Sequence, residues 1–383
     1  MAVYLDYNAS APVDPRVLER MVNVYRMHYG NADSRTHTFG TDAKEIVSDA
    51  RKTIADILQI DYTDVIFTSG STESNNMAIV GLLKYALETG RNHFITTAIE
   101  HKSVLEAMKY LQNNGCTVDF VSLDESGRVK ADQILKLVNE KTLLVSMMHV
   151  NSETGIIQPI EEVGDALFKT KTYFHIDATQ GFGKLNDTLR KTKYNMLSIT
   201  AHKLGGPQGI GALILRRDKM YKRPPVTPLL FGGPQERGYR PGTTPVALVA
   251  GFGLAAKLCD QEAEEHMKKC QEIKDFFLNT ISSLNYKING DPHYCLPSTI
   301  NISFSGVDAE GYFVSLKNEY AFSNGSACNS AQHVPSYVLS AMGLDKKRID
   351  EAIRISWDAN VQADFSSLVR YINFTLYGSS VRP

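Results

Sequence analysis

From about residue 63 to residue 216, short apolar segments rich in β-branched residues alternate with segments of helical periodicity. Strands are predicted at 65–67, 93–96, 118–121, 143–147, 173–176, 196–200 and 211–215, and helices between them at 72–88 and 102–113. Strands that alternate with helices in this way form a mostly parallel sheet with helices packed on its faces. The sequence therefore predicts an α/β fold, and functional side chains are expected where the strands end.

The rest of the chain predicts a second, smaller unit. At 383 residues the chain is long for a single domain, so we expect two domains with substantial cores. A helical pattern from about 245 to 283 connects them, and it is followed by short patterns near 298–304, 307–317, 320–323, 335–341 and 361–377 that predict a small α+β domain. We expect a large domain of residues 14–260 and a small domain of residues 1–13 plus 261–383.

Composition argues against several classes of protein. The chain has 41 Lys and Arg residues against 42 Asp and Glu residues, a balance that does not favour direct nucleic-acid binding or attachment to a membrane surface. The first residues show no signal-peptide pattern, and no apolar run approaches the roughly 20 residues of a membrane span. The five cysteines are widely spaced, which argues against a disulfide framework and a zinc site. We expect a cytoplasmic protein that binds no metal.

Lys203 lies in a polar, glycine-rich connection between the predicted strands at 196–200 and 211–215. A single loop lysine is usually only a solvated charge. At a strand end, however, a lysine with a lowered pKa is a nucleophile, and its commonest covalent use is a Schiff base with a carbonyl substrate or with pyridoxal phosphate. The residues at the other strand ends decide between these interpretations.

Three further strand ends carry polar side chains that suit a phosphorylated pyridine cofactor. Ser71 and Thr72 follow a strand and open a helix, which is the geometry of a phosphate site, although it also suits an ordinary N-capped helix. Asp177 ends a strand and suits the protonated nitrogen of a pyridine ring, although it also suits a turn cap. His101 suits ring stacking or proton transfer, and His202 suits a phosphate contact. Their joint occurrence with the loop lysine favours pyridoxal phosphate.

Eight ordered motifs carry a resemblance to a known family. They are Tyr4-Leu5-Asp6-Tyr7-Asn8-Ala9, Phe67–Asn76, Glu100-His101-Lys102, Met148–Gly155, His175–Gln180, Ala201-His202-Lys203, Glu236-Arg237-Gly238 with Arg240–Thr243, and Ser323–Cys328. These motifs resemble the cysteine desulfurases, and the resemblance runs from residue 4 to about residue 356. It implies the fold-type-I architecture of class-V aminotransferase-like enzymes, with a mostly parallel seven-stranded sheet flanked by helices. It also implies a homodimer whose active sites lie at the subunit interface.

The resemblance also implies pyridoxal phosphate as cofactor and a role for each residue of the site. By this resemblance, Lys203 forms the Schiff base with the cofactor, Asp177 pairs with the pyridine nitrogen, and Gln180 contacts the ring hydroxyl. His101 stacks on the ring and assists proton transfer. The phosphate is held by Ser71, Thr72, Thr200 and His202 together with Thr243 of the partner chain, and the substrate α-carboxylate is bound by Asn151 and Arg354. A guanidinium suits the last task because it grips a carboxylate through two parallel hydrogen bonds.

Cys328 lies in Asn324-Gly325-Ser326-Ala327-Cys328-Asn329-Ser330, a small, polar stretch that indicates an exposed loop. The resemblance implies that its thiolate attacks the sulfur of L-cysteine, that L-alanine is released, and that the sulfur passes from a Cys328 persulfide to an acceptor protein. The motif resembles the long-loop branch of the family, which favours cysteine over selenocysteine as substrate. The other four cysteines are expected to be small apolar residues without a role.

The chain departs from the family pattern at several positions. Asn324 and Asn329 replace hydroxyl residues beside the cysteine, Ser152 stands where a second asparagine is common, and Pro234 interrupts a glycine run. Trp357-Asp358-Ala359-Asn360 stand where a glycine and a basic residue are usual. The last change is expected to affect the substrate entrance or the docking of a partner.

Two alternative functions stay open from the sequence. The first is a selenocysteine lyase or an aminotransferase of the same fold, because the cofactor site is common to all of them. The second is a non-catalytic scaffold of a sulfur-handling complex, against which the complete set of Lys203, Asp177, His101, Cys328 and Arg354 argues. Iron-sulfur assembly, tRNA thiolation and DNA phosphorothioation are all served by relatives, and the sequence favours none of them.

Overall fold

The computed structural model describes residues 2–218, 220–323, 335–362 and 364–378. Its strands are β1 Val3–Tyr4, β2 Val65–Thr68, β3 His93–Thr97, β4 Thr117–Val121, β5 Thr142–Met148, β6 Tyr173–Asp177, β7 Met196–Thr200, β8 Gly211–Leu215, β9 Tyr286–Ile288, β10 Thr299–Phe304, β11 Tyr320–Ala321 and β12 Ala352–Ser356. Its helices are α1 Pro15–Met27, α2 Thr38–Leu58, α3 Ser71–Ile79, α4 Leu83–Thr89, α5 Lys102–Asn113, α6 Ala131–Leu137, α7 Ile160–Leu167, α8 Asn186–Lys191, α9 Val246–Thr280, α10 Ala309–Ser315, α11 Tyr337–Ala341, α12 Lys346–Asp350 and α13 Ser366–Tyr377.

Seven strands form one sheet in the order β2-β8-β7-β6-β5-β3-β4. Strand β8 is antiparallel to both of its neighbours, and the other strand pairs are parallel. Strands β2, β3, β5, β7 and β8 are buried at every position, because helices cover both faces of the sheet. The predicted mostly parallel seven-stranded α/β fold is confirmed. The carboxyl ends of six strands meet at one edge of the sheet.

The segment predicted as one helix at 72–88 forms two helices. Helices α3 and α4 are separated by a 3₁₀ turn at Val80–Leu82. The chain at Val226 and Thr227 packs closely on Gly81 in this turn, and the Thr227 amide donates a hydrogen bond to the Gly81 carbonyl at 2.9 Å. The prediction of a continuous helix was wrong here because this contact involves residues about 145 positions apart.

Helix α9 is a single helix of 35 residues that joins two apolar cores. Its first half packs against α1 and α2, where Gly253 allows a close approach to Ala50. Its second half contributes Cys270 and Phe277 to a separate core around β10, β12 and α13. On the basis of these separate cores we propose the division into residues 14–260 and residues 1–13 plus 261–383. Within the described ranges, no helix is long and apolar enough to cross a membrane.

Candidate active site

A cavity of about 440 Å³ lies at the carboxyl ends of the strands. This volume is within the usual range for small-molecule and cofactor sites. The cavity brings together nine of the residues that the sequence singled out, namely Ser71, Thr72, His101, Asp177, Gln180, Thr200, His202, Lys203 and Arg354. These residues lie on α3, β6, β7 and β12, at the N-cap of α5 and in the connections after β6 and β7, so the sheet edge assembles side chains that are far apart in sequence.

Lys203 points at the N-terminal segment of the chain. Its Nζ donates hydrogen bonds to the backbone carbonyls of Asn8 at 2.5 Å and Ala9 at 2.6 Å. Burial lowers the pKa of Lys203 to about 7, and the nearby cations Arg354 and Lys184 act in the same direction. A substantial fraction of the Lys203 amine is therefore neutral near neutral pH, which is the form that attacks a carbonyl carbon.

The N-terminus of α3 forms an anion site. Gly70 precedes the helix with a φ of 151°, a conformation that other residues rarely adopt. The Ser71 hydroxyl accepts a hydrogen bond from the Thr179 hydroxyl at 2.7 Å, which fixes it at the start of the helix. The carboxylate of Glu73 does not oppose an anion here, because it accepts hydrogen bonds from the Ser69 amide and from Arg240. Free backbone amides and hydroxyls at a helix N-terminus suit a phosphate group.

Asp177 lies at the end of β6 and is almost completely buried. One carboxylate oxygen accepts a hydrogen bond from the Asn75 side chain at 2.8 Å, and the other accepts one from the Thr179 amide at 3.0 Å. These two donors fix the orientation of the carboxylate at the cavity wall. Asn75 and Thr179 were not predicted as site residues, although they lie in the motifs Phe67–Asn76 and His175–Gln180, because neither residue type by itself indicates a carboxylate partner.

His101 is the N-cap of α5. Its Nδ1 accepts a hydrogen bond from the Ser103 amide at 3.2 Å, so the neutral ring carries its proton on Nε2. Burial lowers the pKa of His101, and the charges of Lys203 and Lys102 add to this effect against the opposing effect of Asp177. Burial and the Lys203 charge also lower the pKa of His202, to about 4. Both rings are therefore neutral at neutral pH.

The N-terminal segment forms one wall of the cavity, which the sequence did not predict. The Asn8 side chain donates hydrogen bonds to the Ser152 carbonyl at 3.1 Å and to the Thr299 hydroxyl at 3.0 Å. The Asn8 carbonyl accepts a hydrogen bond from the Gln180 side chain at 2.9 Å. These partners are 144 to 291 residues away in the chain, so no local pattern could reveal them.

Arg354 and Asn151 were both predicted to bind a carboxylate, but only Arg354 is among the residues that line the cavity. The buried Arg354 lines the cavity, where its guanidinium donates hydrogen bonds to Asp6 at 2.5 Å and to the Ser152 carbonyl at 3.1 Å. Asn151 is not among the lining residues. Its amide donates to the Ile99 carbonyl, and its side-chain oxygen accepts from the amides that follow it at positions 153 and 154. The Asn151 side chain therefore closes its own turn.

Two further predicted site residues, Thr243 and Cys328, are not part of this cavity as the structure describes it. Thr243 is exposed and does not line the cavity of its own chain. Cys328 lies outside the described residues. The described cysteines are poor nucleophiles, because burial raises the pKa of Cys116 and Cys295, and raises the pKa of Cys259 and Cys270 to about 12.

The residues of the cavity fit pyridoxal phosphate. The anion site at α3 suits the phosphate, the buried carboxylate of Asp177 suits the pyridine nitrogen, and the Lys203 amine suits the aldehyde. The three groups come from α3, β6 and the connection after β7, and they line one cavity of sufficient volume.

Comparisons with known proteins agree with this site. The aminotransferase class-V family matches residues 3–364. Cysteine desulfurase IscS of Rickettsia africae is 40% identical over 356 residues, which are 92% of this chain and 86% of that protein. The mitochondrial cysteine desulfurase of Eremothecium gossypii is 42% identical over 353 residues, which are 92% of this chain and 71% of that protein.

Solved structures give the same result. DndA from Streptomyces lividans superposes with a TM-score of 0.82 at 41% identity, over 91% of this chain and 98% of its own. SspA in complex with cysteine superposes with a TM-score of 0.82 at 35% identity, over 94% of this chain and 100% of its own. The chain therefore belongs to the cysteine desulfurases, the pyridoxal phosphate enzymes of the aminotransferase class-V family.

Proposed function

We propose that the chain converts L-cysteine into L-alanine and transfers the sulfur to Cys328 as a persulfide, from which an acceptor protein receives it. The observation that carries this proposal is that Lys203, Asp177 and Arg354 line the same cavity. In the reaction the C–S bond of cysteine breaks and an S–S bond forms at Cys328. The thiol sulfur is oxidised to a sulfane sulfur, and the substrate carbon is reduced to the methyl group of alanine.

Pyridoxal phosphate, when bound, supplies an electron sink for the substrate Cα. The N-terminus of α3 would hold the phosphate, and Asp177 would pair with the pyridine nitrogen and keep it protonated. The Lys203 amine, neutral in part near pH 7, takes and returns the proton at Cα. The neutral His101 ring, with its proton on Nε2, is a second acid-base group over the same cavity.

Arg354 is the residue that we assign to the substrate α-carboxylate. Its guanidinium is buried at the cavity wall and is held in place by Asp6 and the Ser152 carbonyl. A fixed, planar donor orients the carboxylate and thereby the Cα–H bond. In this structure Asn151 stabilises the turn that presents the Ser152 carbonyl, and a direct contact of Asn151 with the carboxylate stays a prediction.

Support for Cys328 comes from the residues on either side of the segment 324–334. On one side, Ser323 pairs with Arg354 through two backbone hydrogen bonds of 2.7 and 3.2 Å. On the other side, Tyr337 lines the cavity and its hydroxyl donates to the Glu100 carbonyl at 2.8 Å. Cys328 is five residues beyond Ser323, a span of up to about 17 Å in an extended chain. The chain between Ser323 and Cys328 is therefore long enough for the thiol to reach a substrate held by Arg354.

The lowered pKa of Lys203 predicts how cofactor loading depends on pH. The neutral amine reacts with the aldehyde, so the rate at which the cofactor-free protein binds pyridoxal phosphate should rise with pH up to about 7 and then level off. An unperturbed lysine would give a rate that keeps rising towards pH 10.4. The measurement is the growth of the visible absorbance of the bound cofactor at pH 5.5 to 10. A rate still rising tenfold per pH unit at pH 9 contradicts the assignment.

A homodimer is part of the proposal. Helix α1 exposes Leu18 and Tyr25 on one face, and Phe231, in the segment that leads to Thr243, is 94% exposed. A second copy that covers these side chains would bury apolar surface and bring Thr243 towards its partner's phosphate site.

Tyr25→Glu should produce a monomer in analytical ultracentrifugation and weaken cofactor binding. Phe374→Glu, at another exposed apolar side chain, should leave the dimer intact. A monomeric parent protein contradicts the proposal.

A cytoplasmic location is also proposed. The described cysteines are free thiols, and free thiols persist in a reducing compartment. Fractionation of cells that express the chain tests this, and recovery outside the cytoplasmic fraction contradicts it.

The choice between the candidate reactions is tested by product analysis. The purified protein is supplied separately with L-cysteine, L-selenocysteine and L-cysteine plus a keto acid, and alanine, sulfide and selenide are measured. A desulfurase releases alanine from L-cysteine without a keto acid. Alanine from selenocysteine alone indicates a lyase, and a requirement for the keto acid indicates an aminotransferase. Protein without cofactor absorbance after loading indicates a scaffold.

A further inference from the structure

A second cavity, of about 300 Å³, also reaches Lys203. It is lined by part of α9, by the N-terminal end of α1 and by the unusual residues Trp357, Asp358 and Asn360. Lys184 lines this second cavity, whereas Gln180, four positions earlier, lines the active-site cavity. The connection after β6 therefore contributes Thr179 and Gln180 to the active-site cavity and Lys184 to the second cavity.

A continuous chain of hydrogen bonds joins Lys184 to Lys203. The Lys184 Nζ donates to the Gln180 side-chain oxygen at 3.4 Å. The Gln180 side-chain amide donates to the Asn8 carbonyl at 2.9 Å. The same carbonyl accepts the hydrogen bond from Lys203 at 2.5 Å. Lys203 thus contacts the Asn8 carbonyl directly, and Lys184 is connected to the same carbonyl through the Gln180 side chain.

The other charges in the second cavity are already paired. Arg16 binds Asp14 at 2.7 Å and Glu262 at 2.6 Å, and His266 binds Asp358 at 2.7 Å. Among the residues that the structure describes, no carboxylate lies within 4.0 Å of Lys184 Nζ, and the bond to Gln180 is its one hydrogen bond. The hydrogen bond to Gln180 is therefore the polar interaction that Lys184 makes in this cavity.

Burial lowers the pKa of Lys184 from its ordinary value, and the nearby Asp358 opposes this effect. In its ammonium form, Lys184 fixes which end of the Gln180 amide faces the active site. An ammonium group donates hydrogen bonds and cannot accept them, so it selects the amide oxygen and turns the NH₂ group towards Asn8. That NH₂ group shares the Asn8 carbonyl with Lys203, which leaves the Lys203 ammonium less well solvated. If the Gln180 amide were flipped, its oxygen would lie next to the Asn8 carbonyl oxygen and could not donate to it. The Asn8 carbonyl would then accept a hydrogen bond from Lys203 alone.

We propose that Lys184 is a positioning residue that keeps the Lys203 amine reactive near neutral pH by holding the Gln180 amide against the Asn8 carbonyl. The other charged or titratable groups around Lys203 are Arg354, Asp6, Asp177, His101 and His202, and those around Lys184 are Asp358 and the thiols of Cys259 and Cys270. The proposal deepens the proposed function at the same site. Cofactor loading involves no sulfur chemistry, however, so its failure and that of the desulfurase proposal are distinguishable.

The test uses the cofactor-free protein and pyridoxal phosphate alone. In Lys184→Met the pH at which loading reaches half of its maximal rate should move upward by roughly half a unit, so loading at pH 6 should be about three-fold slower. Lys184→Arg keeps a cationic donor and should load as the parent does. Met267→Ala changes the wall of the same cavity without a change of charge and without touching Gln180, and it too should load as the parent does. Denaturant midpoints of all variants confirm that each is folded.

A double-mutant cycle with Gln180→Met tests the route through Gln180. The upward shift caused by Lys184→Met should be smaller in the Gln180→Met background, because the amide that transmits it is gone. Equal shifts in both backgrounds would overturn the route through Gln180. Loading of Lys184→Met at the parent rate at every pH, or an equal effect of Met267→Ala, would overturn the proposal as a whole.

Discussion

Cys328→Ala should keep the bound, yellow cofactor and lose alanine formation from L-cysteine by at least about a thousand-fold, because removal of a nucleophile costs several powers of ten in rate. The thiols in the described part of the chain cannot replace it, since burial raises their pKa above its usual range. Alanine is measured by amino-acid analysis, and the cofactor by its absorbance spectrum.

Two variants control this result. Cys116→Ala removes a buried thiol between α5 and β4 and should retain alanine formation within about two-fold. Lys203→Ala should lose both the activity and the covalent link to the cofactor, so its absorbance spectrum separates failure of the cofactor site from failure of sulfur transfer. Alanine formation at the parent rate by Cys328→Ala would remove Cys328 from the mechanism.

Asp177→Asn should lower kcat by about three powers of ten, which is about 4 kcal/mol of transition-state stabilisation, while KM for L-cysteine changes little. The neutral amide has nearly the same shape but cannot hold a proton on the pyridine nitrogen. It also places an NH₂ group against Asn75 or against the Thr179 amide, both of which donate hydrogen bonds to the present carboxylate. Steady-state kinetics with fully loaded protein measure the effect.

The control for this substitution is Asp187→Asn, at an exposed aspartate that pairs with Arg190 on the surface. It should leave kcat unchanged, because it lies far from the cavity lining. A kcat for Asp177→Asn within ten-fold of the parent value would mean that the carboxylate has no electronic role.

The sheet was predictable because its strands are short, apolar and buried on both faces, so each leaves a local signal. Helix α5 begins after His101 and ends at Asn113, in agreement with the prediction of 102–113. The break between α3 and α4 left no comparable signal, since it depends on the contact of Gly81 with the segment at 226–227. Local patterns therefore predicted the elements better than their interruptions.

The site shows the same division. Lys203, Asp177, His101 and the residues at the start of α3 lie at strand ends, and their convergence follows from a parallel sheet. The wall formed by Asn8 and the inward turn of Asn151 depend on hydrogen bonds to particular partners. A side chain with several donors and acceptors can satisfy them inside its own turn or across the site, and residue type alone does not decide which.

The most direct test of the central claim follows one sulfur atom. The loaded protein is mixed with isotopically heavy-sulfur L-cysteine without a sulfur acceptor, alkylated, digested and analysed by mass spectrometry. We expect one heavy sulfur on the peptide that contains Cys328 for each L-alanine released in the first turnover, and none on the peptides that contain Cys116, Cys259, Cys270 or Cys295. Alanine released without heavy sulfur on Cys328, or with it on another cysteine, would contradict the account.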